Sequence, residues 1–239
     1  MDVDRLAAAV RAEHLYRSVV PILAENSSDA GVHGSGCLFA RDGKHFLVTA
    51  AHVGEHLPRY AEQIGVPSSP LPKAGEMWTL GRGQVALAPD EDVAVFRMDQ
   101  PEVVERLRTG GRVFLTDANV ATNDGWSTAI VFGWPEAQAL FDGATVTGRP
   151  LHLQLARLPA PPSAGPMDLH LEWPTSGPVP KLQGISGSPI WALQPVSEGI
   201  WHPSKELLLV GVQHHVLPGE HVRGTRWPVV ERLLRELGG

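Results

Sequence analysis

The sequence predicts an all-β fold, a barrel or sandwich, with helices confined to its two ends and one connection. Three observations carry this. About ten short runs rich in β-branched, aromatic and alternating apolar residues recur along the 239-residue chain. Its 25 glycines and 21 prolines punctuate those runs with turns. No helical periodicity is interleaved between them.

The first segment, "MDVDRLAAAVRAEHLYRSVV", reads as an amphipathic helix rather than a secretory signal. Acids stand where a signal carries basic residues, and Arg11, Glu13 and His14 interrupt the apolar run. Strands are expected at "HFLVTAA", "MWTLG", "VALAP", "DVAVFRM", "RVFLTD", "STAIVFGW", "LHLQLARL", "DLHLEW", "SPIWAL" and "LLLVGVQHHV". A helical connection is expected near "QPEVVERLRTG", and a surface loop at "LPAPPSAGP", residues 158–166. The last segment, "RWPVVERLLRELGG", has Pro228 at its start, apolar residues at helical spacing and glycines after it, so it predicts a helix.

Composition narrows the functions. Hydrophobic residues make up 43% and charged residues 19%, which is globular composition. A net charge of −6 opposes a general nucleic-acid binder. No apolar run is long enough to cross a membrane. Cys37 is the one cysteine, so no internal disulfide forms; it reads as a small buried strand residue. With the absence of a signal pattern, this implies the reducing cytoplasm.

The stretch "LQGISGSPIW" frames Ser186 with glycines, as a turn residue or as a nucleophile on a shaped loop. A serine hydroxyl needs a base and an orienting carboxylate. His52, in "VTAAHVGEH", follows an apolar strand and two alanines, a way to present an imidazole at a barrel rim; the plainer reading is an inert, hydrogen-bonded histidine at a strand end. Asp92, in "PDEDVAVFRM", directly precedes the alternating Val93-Ala94-Val95 and can be partly buried against an imidazole, whereas Asp90, Glu91 and Asp99 read as solvated loop acids.

In this order, "GSGCLFARDGKHFLVTAAHV", "DVAVFRM" and "GISGSPIW" resemble the trypsin-like (chymotrypsin-fold) serine peptidases over roughly residues 16–220. The gaps of 40 residues from His52 to Asp92 and 94 from Asp92 to Ser186 match one such domain. The pattern is nearest to the bacterial HtrA-like and glutamyl-endopeptidase-like branches, where Gly-Ser also follows the nucleophile.

The resemblance implies two six-stranded β-barrels in one peptidase domain over 1–239, with barrels at about 16–105 and 110–220 and a C-terminal helix at about 226–237. It implies a serine endopeptidase in which Ser186 attacks, His52 takes its proton and Asp92 orients the imidazole. The N–H groups of Gly184 and Ser186 would form an oxyanion hole. Pro180, Gln183, Val212, Gln213, His214 and His215 would contact substrate. The implied partners are a protein or peptide substrate and a regulatory protein, with no cofactor and no metal. With no acid near Pro180 and Lys181 beside it, cleavage after Lys or Arg is disfavoured. A small or apolar residue is the first choice and an acidic one the second.

The sequence also departs from the family. Val53 follows His52 where secreted animal members carry a disulfide cysteine. Ile185 replaces the aspartate that binds a newly cut N-terminus, so no N-terminal processing is expected. The chain ends soon after the second barrel, so the C-terminal peptide-binding domain of typical HtrA proteins is not expected. Other chemistries fit less well. "HVGEH", residues 52–56, matches an inverted zinc-peptidase pattern, but Gly54 and Pro58 oppose the continuous helix it needs. An α/β-hydrolase elbow wants glycine where Ser188 stands, and Pro189 opens a strand rather than a helix. A metal site of His214 and His215 with His221 is a weaker reading than strand-end or substrate-facing histidines. The alternative from another class is a catalytically silent scaffold that binds a partner.

Overall fold

Two antiparallel sheets carry the molecule, and the loop that holds Ser186 precedes a strand of the second and touches a strand of the first. The structure is a computed structural model describing residues 3–25, 30–60, 63–67, 77–79, 84–142, 145–174, 181–194 and 202–239. Helix α1 (Val3–Ser18) leads into strands β1 (Val19–Glu25), β2 (Ala30–Arg41) and β3 (Lys44–Thr49). Helix α2 (Ala51–Tyr60) follows, then β4 (Gln63–Pro67), β5 (Met77–Thr79), β6 (Val85–Ala88), β7 (Val93–Arg97) and helix α3 (Pro101–Thr109). These strands form one sheet in the order β5-β4-β1-β2-β3-β7-β6. Seven strands are therefore described here rather than the expected six.

The second half contains β8 (Thr128–Gly133), the separate hairpin β9 (Ala139–Asp142) and β10 (Thr145–Gly148), β11 (Leu151–Ala156) and β12 (Asp168–Glu172). It continues with β13 (Pro189–Leu193), helix α4 (Pro203–Glu206), β14 (Leu207–Leu217), β15 (His221–Arg226) and helix α5 (Trp227–Glu236). Its six-stranded sheet runs β11-β8-β13-β14-β15-β12. The outer strands meet where Arg157 bridges Leu171 and the Leu158 N–H donates to the His170 carbonyl at 2.9 Å, which curls the sheet into a barrel. The all-β, two-barrel class with helices at both ends is the one the sequence predicts.

Three expectations need correction. "RVFLTD" is not a strand: only Leu115 pairs, exchanging backbone bonds with Leu38 and Ala40 at 2.9 and 2.7 Å. The α1 helix is not amphipathic, because Leu6 to Val10 are apolar in succession and cover more than one turn. "HVGEH" does lie in a helix, α2, with Pro58 inside it. Gly54 serves a close approach there, since a Cβ would stand 3.1 Å from the Phe96 ring and 3.2 Å from Ala94. The loop at 158–166 lies as expected between β11 and β12 and is largely exposed.

Packing joins the two sheets. One apolar cluster contains Phe39 and Phe46 of the first sheet, Trp191 and Leu209 of the second, and Trp227 and Leu233 of α5. Helix α5 buries Trp227, Val229, Val230, Leu233 and Leu234 at helical spacing and packs on β6, β7 and β14, so it spans both sheets. Each such side chain contributes about 1.5–3 kcal/mol. At the other end, Leu15 of α1 is fully buried and Tyr16 stacks obliquely on Trp134 with ring centroids 5.2 Å apart. The buried Arg112 guanidinium donates to the Tyr16 and Val19 carbonyls at 3.0 and 3.1 Å, fixing where α1 gives way to β1. Burial pulls its pKa down to about 10, which still leaves it charged at neutral pH.

Candidate active site

Asp92 ends a tight turn in which its N–H donates to the Pro89 carbonyl at 3.2 Å, and its φ of 52° is left-handed. Aspartate tolerates that conformation better than bulkier residues do. The turn aims the carboxylate at the start of α2. There the His52 backbone N–H donates to Asp92 Oδ1 at 2.9 Å, and His52 Nδ1 lies 2.8 Å from Oδ2 and 3.0 Å from Oδ1. A carboxylate only accepts, so Nδ1 carries the hydrogen and Nε2 is left free to take a proton. Burial raises the Asp92 pKa, but the His52 side-chain and backbone hydrogen bonds outweigh it, and the carboxyl ends below its ordinary value.

Ser186 belongs to the other barrel and stands on a turn between two glycines with positive φ, Gly184 at 92° and Gly187 at 89°. Both conformations favour glycine. A Cβ on Gly184 would also press to 2.7 Å from the Glu136 nitrogen and 2.8 Å from the Trp134 carbonyl oxygen. The turn closes on itself through Ser188 N–H to the Ile185 carbonyl at 2.9 Å and Ser188 Oγ to the same oxygen at 2.6 Å. It is tied to β14 by Gly187 N–H to the Gln213 carbonyl at 2.7 Å. Among the described residues, no acceptor takes up the N–H of Gly184 or of Ser186.

The barrels are fastened together at this point. Ser35 of β2 donates its N–H to the Ser186 carbonyl at 2.7 Å and its hydroxyl to the Gly184 carbonyl at 2.9 Å. The same hydroxyl accepts the Trp134 N–H at 2.8 Å, and Thr49 Oγ1 donates to the Ser35 carbonyl at 2.7 Å. Opposite, Thr225 of β15 donates to the Glu91 carbonyl at 2.5 Å and holds the Asp92 turn. Ser35 stands in the quoted "GSG" pattern, but nothing in the sequence reveals its bridging role.

His52, Asp92 and Ser186 line one open cavity of about 620 Å³. Of the residues expected to touch substrate, Gln183, His214 and His215 line it too. Val212 and Gln213 are fully buried and are not in its lining, and Pro180 lies outside the described residues. Trp173, Lys181, Leu182, Val216 and Pro218 complete the walls. Asp92 is the one carboxylate among these lining residues. Cys37 is fully buried, and burial pushes its thiol up to about 12, so it is a poor nucleophile. Among the described residues no group of three or more metal-ligating side chains gathers. No described helix is long and apolar enough to cross a membrane.

No protein-family model matches the chain, and no curated protein matches it. Solved structures do. A thermostable serine protease, AL20, from an extremophilic microorganism aligns with a TM-score of 0.59 at 11% identity, over 93% of this chain and 98% of that one. Catalytically active tobacco etch virus protease in complex with product aligns at 0.52 and 11%, over 90% and 74%. A structure from work on coupled folding and binding of the Sesbania mosaic virus VPg protein aligns at 0.53 and 16%, over 91% and 90%. At these identities the likeness establishes the chymotrypsin-like fold, and nothing in it singles out the HtrA-like or glutamyl-endopeptidase-like branches.

Proposed function

We propose that the protein is a serine endopeptidase working through Ser186, His52 and Asp92. The observation that carries this reading is the doubly bonded His52–Asp92 pair in the same cavity as a serine held on a two-glycine turn. In the proposed reaction Ser186 Oγ attacks a peptide carbonyl as His52 Nε2 takes its proton, and the carbonyl oxygen gains negative charge. The N–H groups of Gly184 and Ser186 are available to receive that charge, each such donor being worth about 3 kcal/mol in the transition state. His52 then gives its proton to the leaving amine, and an acyl-enzyme remains on Ser186. A water deprotonated by His52 releases it and restores the serine.

Asp92 keeps the imidazole in the tautomer that makes Nε2 a base. Ile185, 1% exposed, stands before the nucleophile where a zymogen-type activation would need a carboxylate, so the site is read as active without N-terminal cleavage. The fold's likeness to proteases supports the reading, and a single protein substrate inside the cell, with a regulatory partner, is the biological setting we favour. Cleavage of an unfolded protein or peptide library by the wild type, and its loss in Ser186→Ala, tests the proposal. Equal cleavage by both proteins would overturn it.

A further inference from the structure

We propose that His214 is a second imidazole acting on Asp92, a positioning residue that holds the carboxylate from the second barrel. The proposal rests on the reading of Ser186, His52 and Asp92 as the catalytic group. Strand β14 carries a bulge at this point: Gln213 pairs with Gly224 and His215 with Arg223, so His214 is the extra residue with no partner on β15. A bulge re-aims a side chain, and here it brings His214 Nδ1 to 3.6 Å from Asp92 Oδ2. Oδ2 is the oxygen that His52 Nδ1 approaches to 2.8 Å, while Oδ1 receives the His52 backbone N–H. One carboxylate is thus flanked by two imidazoles, one from each barrel.

The His214 side chain is 8% exposed, and its buried Nε2 has no hydrogen-bond partner among the described residues. The charged groups facing it are Asp92 and Asp168, which favour its protonation, and Arg223 and His215, which oppose it. Arg223 is itself paired with Asp168 at 2.9 Å. Burial dominates and pulls the imidazole down to about 4, so it is neutral at neutral pH. A neutral imidazole beside an acceptor-only carboxylate presents Nδ1–H to it. The 3.6 Å separation is longer than a hydrogen bond, and catalytic hydrogen bonds that are long in a free enzyme tighten in its substrate complex. His214 then supplies a donor without supplying a charge. It fixes the carboxylate while leaving Asp92 to stabilise the imidazolium of His52 alone.

Removing that donor concentrates the carboxylate's charge on His52, so the His52 imidazolium is favoured and the acid limb of the pH–kcat profile moves to higher pH. For His214→Leu the expected shift is about half a pH unit, with kcat about tenfold lower and KM little changed. His214→Asn keeps an N–H donor and should restore most of both. The NMR titration of His52 in wild type, His214→Leu and His214→Asn reads the same shift without any substrate. In the wild type, nitrogen shifts should show His214 neutral and protonated at Nδ1 from pH 5 to pH 9, which holds even if the leucine variant does not fold. An unchanged His52 titration in folded His214→Leu, or an Nε2–H tautomer in the wild type, would overturn the proposal. If the wild type neither cleaves peptides nor labels at Ser186, the catalytic reading fails instead, and the NMR results still decide the His214–Asp92 relationship.

Discussion

The hydroxyl of Ser35 donates to the carbonyl of Gly184 at 2.9 Å, so a strand of the first barrel holds the residue that shapes the Ser186 turn of the second. The same oxygen receives the Trp134 N–H, and all of these groups are buried. Ser35→Ala leaves a buried carbonyl and a buried N–H unpaired. Loss of about 2 kcal/mol in stability is expected by denaturant unfolding, with a fall in peptidase activity because the Gly184 amide is no longer held in place. Unchanged stability would mean that the bridge is not needed to join the barrels.

Gly187 is constrained from two sides. Its φ of 89° disfavours a side chain, and a Cβ would collide with the Ser35 carbonyl and with Thr49 Oγ1. Gly187→Ala should cost about 3 kcal/mol or more, read as a drop in unfolding midpoint, and should remove activity in whatever fraction remains folded. A folded, fully active alanine variant would contradict the described turn.

Asp92 makes stability depend on pH. Its carboxyl titrates below its ordinary 3.8 in the folded protein, so the stabilisation it gives is complete above that value and lost as pH falls through the lower folded value. Asp92→Asn keeps a residue that tolerates positive φ and removes the titration. Wild type should therefore lose more thermal stability than Asp92→Asn between about pH 5 and pH 2. At neutral pH the asparagine variant should lose about four orders of magnitude in kcat, because its amide favours the wrong His52 tautomer. Parallel stability curves would remove Asp92 from the acid response.

Specificity follows from the charge of the cavity. Lys181 stands in its wall, and the one carboxylate among the described lining residues, Asp92, is engaged by His52. A buried substrate cation has no counter-charge there. Peptide-library profiling should show no cleavage preference for Lys or Arg, and a preference for either would contradict the described cavity.

Much of the fold is legible in the sequence because alternation marks strands with one wet face. "VALA" of β6 alternates between exposed and buried positions, and "DVAVFRM" gives the buried β7. Strands that lack this pattern are harder to read. In β1, Pro21 looks like a breaker, yet it pairs only with Ser35 on β2, since β4 pairs with residues 23–25 alone. In β15, "HVRGTR" is too polar to read as a strand, and its place comes from pairing with β12 and β14. "RVFLTD" has strand composition, but Leu115 alone of its residues bridges to another strand. His52, Asp92 and Ser186 are legible as motifs in order. The Ser35 bridge and the His214 bulge are not, because both depend on which residues two barrels bring together.

The central claim is that Ser186 is an activated nucleophile. The direct measurement is reaction of the uncut protein with a fluorophosphonate, followed by mass spectrometry of its peptides. The account predicts one adduct on Ser186, absent from Ser186→Ala and strongly reduced in His52→Ala. A folded wild type that does not label, or that labels equally in Ser186→Ala, would contradict it and leave the fold as a binding scaffold.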